Sequence, residues 1–329
     1  MTDQTLAQTA KQMVAPKKGI LAADESLNTM TKRLSSIGVE STLENRSMWR
    51  QIMVETEGIE NYVSGIILFD ETLRNPLPNG KMIADILKEK GVLPGIKTDE
   101  GTYKFNSGEE TFTLGLDKLQ KRYEEYRQMG AVFAKWRAAY KVGEDMPSKA
   151  ARASNAIGLA QYALITQKSG LVPIVEPEVL VLEGSHDIDT SEEATEEILE
   201  DVFKWLERFG VEFSGMLLKP NMILPGKNSE KKSSAQEIAE KTVKVLRKTV
   251  PKEVPGIVFL SGGLTPDEST DYLKAMNSAY KDLPWQLSYS FGRALQQEGL
   301  KAWAGKKENV KAAQEAFLTR AKKVSDARE

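Results

Sequence analysis

Eight short apolar runs, rich in branched residues, recur along the chain at 19–24, 63–69, 93–98, 131–137, 171–178, 213–219, 256–262 and 283–290. Each is too short for an ordinary helix and most are bounded by Gly or Pro, so each reads as a strand. Between them lie amphipathic segments such as 113–129, 149–168, 192–209 and 235–249. In the last, Ile238, Val243 and Leu246 recur near helical spacing, with Lys and Glu on the opposite face. Successive strands begin roughly 30 to 45 residues apart, the size of a βα unit with some insertion. Eight such units without a break in composition predict an α/β chain of parallel strands closed into one (β/α)8, or TIM, barrel spanning residues 1–329. The runner-up is a doubly wound open sheet, but no Gly-x-Gly-x-x-Gly turn supports it. The charged segment 227–234 reads as a loop.

Two scarcities restrict the chemistry. The chain has no cysteine, which excludes disulfides, thiolate nucleophiles and Cys-ligated metal centres. It has one histidine, His186, among Glu183, Asp187 and Asp189, which reads as a surface loop residue. Metal lyases usually need two or three histidine ligands, and a triad hydrolase needs its histidine set with an Asp and a nucleophile, so no metal and no cofactor is expected; a carboxylate-only magnesium site stays open. With a net charge of −2, the chain carries no long-range field that draws nucleic acid or an anionic membrane. Residues 1–16 are polar, no apolar run reaches the length of a membrane span, and the protein reads as cytoplasmic.

Six of the eight runs close on ionisable or hydroxyl residues: Asp24, Lys97, Lys135 with Arg137, Glu176 with Glu178, Lys219, and Ser288 with Ser290. Taken alone, each has a bland explanation. A Lys ending an apolar run is usually a surface lysine, paired glutamates are usually a solvated terminus, and Asp24-Glu25-Ser26 looks like a helix cap. Their joint placement at the carboxyl ends of successive strands is what the bland explanations miss, because that end of a barrel carries its catalysis. Side chains two apart share a face, so Lys135 points with Arg137 and Glu176 with Glu178. Strands four, five and six are neighbours, which puts Lys135, Glu176 and Lys219 within reach of one another. A lysine attacks a ketone only when neutral, and a nearby cation such as Lys135 favours the neutral amine. Proton transfers then fall to Asp24, Glu176 and Glu178.

The loops after strands seven and eight, Leu260-Ser-Gly-Gly263 and Phe291-Gly-Arg293, match the usual phosphate position of such a barrel. Glycine lets backbone amides approach the oxygens, and Arg293 can grip them in bidentate fashion. Lys97 with Arg137, and with them Lys32 and Arg33, form a second positive group near strands one, three and four. Two cationic poles across one barrel mouth point to a substrate phosphorylated at both ends.

Lys18-Gly-Ile-Leu-Ala-Ala-Asp-Glu-Ser26, Lys135-Trp-Arg137, Ile174-Val-Glu-Pro-Glu178, Leu218-Lys-Pro-Asn-Met222, Leu260-Ser-Gly-Gly263 and Phe291-Gly-Arg-Ala-Leu-Gln296 resemble, in order, the signature segments of class I fructose-bisphosphate aldolases. The resemblance covers nearly the whole chain. It implies a Schiff-base lysine at Lys219, an acid/base at Glu176 supported by Glu178, a base for the substrate hydroxyl at Asp24, and assistance to imine formation by Lys135. It implies one phosphate site at Ser261, Gly262, Gly292 and Arg293, beside Ser290, and another at Ser26, Lys97 and Arg137, with Lys32 and Arg33 close by; Thr29 is a further expected substrate contact. The partners it implies are a phosphorylated sugar and further copies of the chain, as a homo-oligomer. Departures are Asn28 for a common Gly, Thr29 for Ser, Phe291 for a frequent Tyr, and Ser-Asp-Ala-Arg-Glu329 where the relatives carry a terminal Tyr on a mobile tail. Two other readings stay open: a Schiff-base lyase for another keto-sugar bisphosphate such as sedoheptulose bisphosphate, and a catalytically idle barrel used as a binding scaffold.

Overall fold

The computed structural model describes residues 4–104 and 108–329. Its strands are β1 (Gly19–Ala23), β2 (Val63–Leu68), β3 (Leu93–Lys97), β4 (Thr102–Lys104), β5 (Thr111–Thr113), β6 (Phe133–Tyr140), β7 (Val172–Val179), β8 (Leu217–Leu218), β9 (Gly256–Phe259) and β10 (Gln286–Phe291). Eight of them close a barrel of parallel pairs in the order β1-β10-β9-β8-β7-β6-β3-β2. The seam pairs Ile20 with Ser290 and Leu21 with Phe291. The eight runs expected from sequence are these eight strands, with ends shifted by a few residues.

The first helices are α1 (Leu6–Met13), α2 (Leu27–Ser35), α3 (Leu43–Glu55), α4 (Asp70–Arg74), α5 (Ile83–Glu89) and α6 (Leu119–Gln128). They are followed by α7 (Lys149–Lys168), α8 (Ile188–Arg208), α9 (Ala235–Thr249), α10 (Pro266–Ala279), α11 (Arg293–Trp303) and α12 (Val310–Asp326). Two expected helices change shape. Segment 113–129 is not one amphipathic unit: Thr111–Thr113 pairs antiparallel with Thr102–Lys104, Gly115 takes a left-handed φ of 113°, and α6 begins only at Leu119. Segment 192–209 starts earlier, at Ile188, because the Asp187 side chain accepts the Thr190 amide and caps the helix.

The period of two along each strand sorts the core into two layers. Ile20, Ala22, Ile67, Phe133, Ile174, Leu217 and Val258 fill the barrel interior and meet Ala10, Met13 and Val14 of the amino-terminal segment. The alternate residues, such as Leu21, Ala23, Ile66, Leu68, Trp136, Val175, Leu218 and Phe259, face the helices. Phe133 takes so much of the interior that a Cβ on Gly95 would lie 2.1 Å from its ring, so only glycine fits there. Following the inward rows upward leads from Ala22 to Asp24, from Phe133 to Lys135, from Ile174 to Glu176 and from Leu217 to Lys219. Apolar packing below thus fixes where the polar groups emerge above.

The opposite end of the barrel is sealed by the last residues of the chain. Arg328 donates to the carbonyls of Ala15 at 2.7 Å and Leu287 at 3.1 Å and also to Lys18, while Ser325 bonds the Lys17 carbonyl. Burial pushes the Arg328 guanidinium down to about 10. Among the described residues no helix is long and apolar enough to cross a membrane.

Candidate active site

At the carboxyl end of the barrel, Lys135, Glu176 and Lys219 are each 4% exposed, and Asp24 is nearly so enclosed. Lys219 Nζ lies 3.0 Å from Glu176 Oε1. Lys135 Nζ lies 3.2 Å from Glu176 Oε2 and 2.8 Å from Asp24 Oδ2. Charges this deeply buried are costly unless paired, and here two ammoniums alternate with two carboxylates. Burial opposes ionisation of Asp24, but Lys135 and Lys219 overcome it and hold the carboxyl well below the usual carboxylate range. Burial likewise opposes the charge of Lys135, and Asp24, Glu176 and Asp99 outweigh it, so Lys135 is a firmly held cation.

A cavity of about 450 Å³ opens beside this cluster, lined by Lys219, Glu178, Ser261, Gly262, Ser290, Gly292 and Arg293. Thr29, Lys32 and Arg33 line the same cavity. Lys32 and Arg33, expected from sequence close to the other pole, stand on this cavity because α2 follows β1 and β1 pairs directly with β10. Among the described residues Lys32 and Arg293 have no ion pair, and Arg293 rests on the carbonyls of Gly263 at 2.6 Å and Leu264 at 3.0 Å. Gly262 and Gly263 both have positive φ, at 48° and 96°, the backbone form that turns amides toward an anion.

The second expected pole is differently disposed. Lys97 Nζ is held by Asp99 Oδ1 at 2.6 Å, and Arg137 by Glu178. Glu178 therefore reaches Arg137 rather than acting on Glu176 directly, and with Arg137 and Asn221 it lines an adjoining cavity of about 230 Å³. Ser26 caps α2, its hydroxyl 3.4 Å from the Thr29 amide and 3.1 Å from the Thr29 hydroxyl. His186 is half-buried rather than on the surface, its carbonyl accepting the Gly226 amide at 2.9 Å, and burial pushes the imidazole down.

Three residues of the site were not singled out from sequence. Asp99 lies 3.7 Å from Lys135 and its Oδ2 is buried without a hydrogen-bond partner. In sequence it sits in Thr98-Asp-Glu100, which reads as a solvated turn; only its step of two from Lys97 hints otherwise. Asn221 accepts the Val179 amide at 2.8 Å and so ties β7 to the segment after Lys219. Glu25 is 8% exposed and pairs with Arg33 and Arg50. Among the described residues no group of three or more His, Cys, Asp or Glu side chains is disposed to hold a metal ion.

Such an arrangement suits attack by a buried amine on a ketone that carries phosphate, with carboxylates at hand for proton transfer. A family model described as fructose-bisphosphate aldolase class-I matches residues 5–329. The chain is 50% identical over 323 residues to fructose-bisphosphate aldolase 4, cytosolic, of Arabidopsis thaliana, covering 98% of this chain and 82% of that one. It is 46% identical over 324 residues to a probable fructose-bisphosphate aldolase class 1 of Xanthomonas campestris pv. campestris, covering 98% and 96%. The solved structure of fructose-bisphosphate aldolase from Plasmodium falciparum matches with a TM-score of 0.96 at 43% identity, over 98% of this chain and 93% of that one.

Proposed function

The chain belongs to the class I fructose-bisphosphate aldolase family, and from that membership we propose how its own residues divide the work. The reaction is the reversible cleavage of fructose bisphosphate to dihydroxyacetone phosphate and glyceraldehyde 3-phosphate, a glycolytic step. Lys219 is the nucleophile. The observation that carries this is the buried Lys219 Nζ at 3.0 Å from Glu176 Oε1, beside a cavity rimmed by Ser261, Gly262 and Arg293.

Glu176 takes a proton from the Lys219 ammonium, and the free amine adds to the substrate C2 carbonyl. The carbinolamine hydroxyl then receives a proton from Glu176 and leaves as water, forming an iminium. Asp24, kept ionised by the lysines, accepts the proton of the C4 hydroxyl. The C3–C4 bond breaks, its electron pair moves into the iminium to give an enamine, and the aldehyde departs. Solvent delivers a proton to C3, Asp24 returns the proton it took to solvent, and addition of water to the iminium releases dihydroxyacetone phosphate and restores Lys219. Lys135 stays charged throughout, orienting Asp24 and Glu176 and stabilising the developing oxyanion. One phosphate rests on Ser261, Gly262, Gly292, Arg293, Lys32 and Arg33. The other lies toward Ser26, Lys97 and Arg137, whose cations must exchange Asp99 and Glu178 for phosphate oxygen.

Residues 1–329 act as one catalytic unit, since α12 returns to pack on α3 and Arg328 bonds Ala15. The protein works in the cytoplasm, as relatives named cytosolic do, and as a homo-oligomer; the exposed Tyr103 and Leu114 supply apolar surface for contact between copies. Light scattering on the purified protein tests the last point, and a monomer at working concentration overturns it.

The chemistry is tested by borohydride added with dihydroxyacetone phosphate. The expected result is loss of activity with one adduct, on Lys219, located by peptide mass spectrometry. An adduct on another lysine overturns the assignment.

A further inference from the structure

Glu25 follows Asp24 but faces away from the reacting centre, into the wedge between β1, α2, α3 and α11. Its side chain is 4% exposed and receives three side-chain donors: Arg33 Nη1, Arg50 Nη2 at 2.5 Å and Gln296 Nε2 at 2.7 Å. Gln296 uses its amide fully. Its Nε2 also donates to the Ala22 carbonyl at 2.7 Å, and its Oε1 accepts the Trp49 indole at 3.0 Å. A carboxylate at 296 has no N–H to donate, and an aliphatic residue there satisfies none of these partners.

The cluster holds one carboxylate against two guanidiniums, so positive charge is left over. Arg50 is enclosed, with 4% of its side chain exposed, whereas Arg33 keeps 20% and lines the cavity. Arg33 Nη2 would lie 3.5 Å from a Cβ on Gly292, directly over the start of α11. The surplus charge therefore emerges at Arg33, next to the loop that also presents Arg293. Arg33 is fixed by Glu25, while Arg293 is exposed and rests only on backbone carbonyls.

We propose that Glu25, with Arg50 and Gln296 behind it, is a positioning residue for phosphate binding: it holds Arg33 against Gly292 and so prebuilds one wall of the phosphate cavity. This rests on the reading of that cavity as a phosphate site. A long flexible guanidinium held in place before binding loses less freedom when the anion arrives. Asp24 and Glu25 thus serve opposite sides of the strand end, one at the reacting carbon and one at the anion.

The test is Glu25→Gln, which keeps the shape and removes the charge, measured beside Arg33→Ala, Arg293→Ala and the Glu25→Gln/Arg33→Ala pair. KM for fructose bisphosphate and the inhibition constant of inorganic phosphate are expected to rise together by about tenfold, with a smaller change in kcat. The ratio of borohydride trapping rates, dihydroxyacetone phosphate over unphosphorylated dihydroxyacetone, should fall by a similar factor; a purely structural role would lower both rates and leave the ratio alone. The double variant should be no worse than Arg33→Ala, since Glu25 acts through Arg33. Should Glu25→Gln fail to fold, Glu25→Asp serves: it keeps the charge but shortens the reach to Arg33, with a rise of about threefold expected. A folded Glu25 variant with unchanged phosphate inhibition, or additive losses in the double variant, overturns the positioning role alone. Unchanged phosphate inhibition in both Arg33→Ala and Arg293→Ala overturns the phosphate site itself.

Discussion

Lys219 Nζ lies 3.0 Å from one carboxylate oxygen of Glu176, and the other oxygen of that carboxylate faces Lys135 Nζ at 3.2 Å. A single acid thereby touches both the nucleophile and the fixed cation. It can exchange a proton with Lys219 while Lys135 steadies whichever oxygen is left charged.

Glu176→Gln removes the proton carrier and leaves two ammoniums facing a neutral amide. The expected outcome is a fall in kcat of about 10²- to 10⁴-fold, with imine trapping slowed by a comparable factor. Steady-state kinetics and timed borohydride quenching measure both. Normal trapping with impaired cleavage would move the role of Glu176 to the later proton transfers only.

Asp24 makes a prediction about acid stability. Its folded pKa is held below its unfolded value of about 3.9, so its contribution is present above that pH and is lost as pH falls through the folded pKa. Asp24→Asn should therefore cost most near neutrality, and its deficit should shrink between pH 5 and pH 2. Urea denaturation across that range checks this. A deficit that does not change with pH would mean the carboxyl titrates normally.

Full activity is expected after exhaustive chelation, because the iminium on Lys219 withdraws the electrons that a metal would otherwise draw. A loss restored by adding a divalent cation would overturn the Schiff-base route.

The carboxyl terminus lies at the end of the barrel away from the reacting lysine, where Arg328 and Ser325 satisfy the carbonyls of Ala15, Lys17, Lys18 and Leu287. Arg328→Met should lower stability by about 2 to 4 kcal/mol, since it orphans several buried carbonyls. Deletion of residues 325–329 should change turnover by less than about tenfold, or roughly 1.4 kcal/mol in barrier. Thermal melts and kinetics on the same samples separate the two effects. Selective loss of proton exchange at the dihydroxyacetone phosphate carbon, with trapping intact, would make the tail catalytic.

Much of this was legible in the sequence because a barrel strand carries two messages at once. Phe133-Ala-Lys-Trp-Arg137 reads as a buried strand from its apolar positions and as a site from its inward Lys135 and Arg137. The antiparallel pair of Thr102–Lys104 and Thr111–Thr113 was not legible, since one exposed and one half-buried strand of three residues leave no apolar period to count. Asp99 and Glu25 stand next to other acids, which is also how a solvated turn looks. Gln296 was visible as part of a motif but silent in role, because its partners Trp49, Ala22 and Glu25 are distant in sequence. Lys32 and Arg33 follow the first strand, and the closed barrel expected from sequence already sets that strand beside the last one, so their place on the cavity with Arg293 was open to inference but was not drawn.

That seam has a consequence for assembly of the fold. Ile20 meets Ser290 only after nearly the full length of the chain has been laid down, so any partial barrel has two raw sheet edges. Such intermediates are slow to finish and sticky while they last. The cavity proposed to take one phosphate straddles the same join, with Thr29 and Arg33 on one bank and Ser290 and Arg293 on the other. Substrate is then a rivet as well as a reactant: it binds only the closed ring, and by mass action it holds the ring closed.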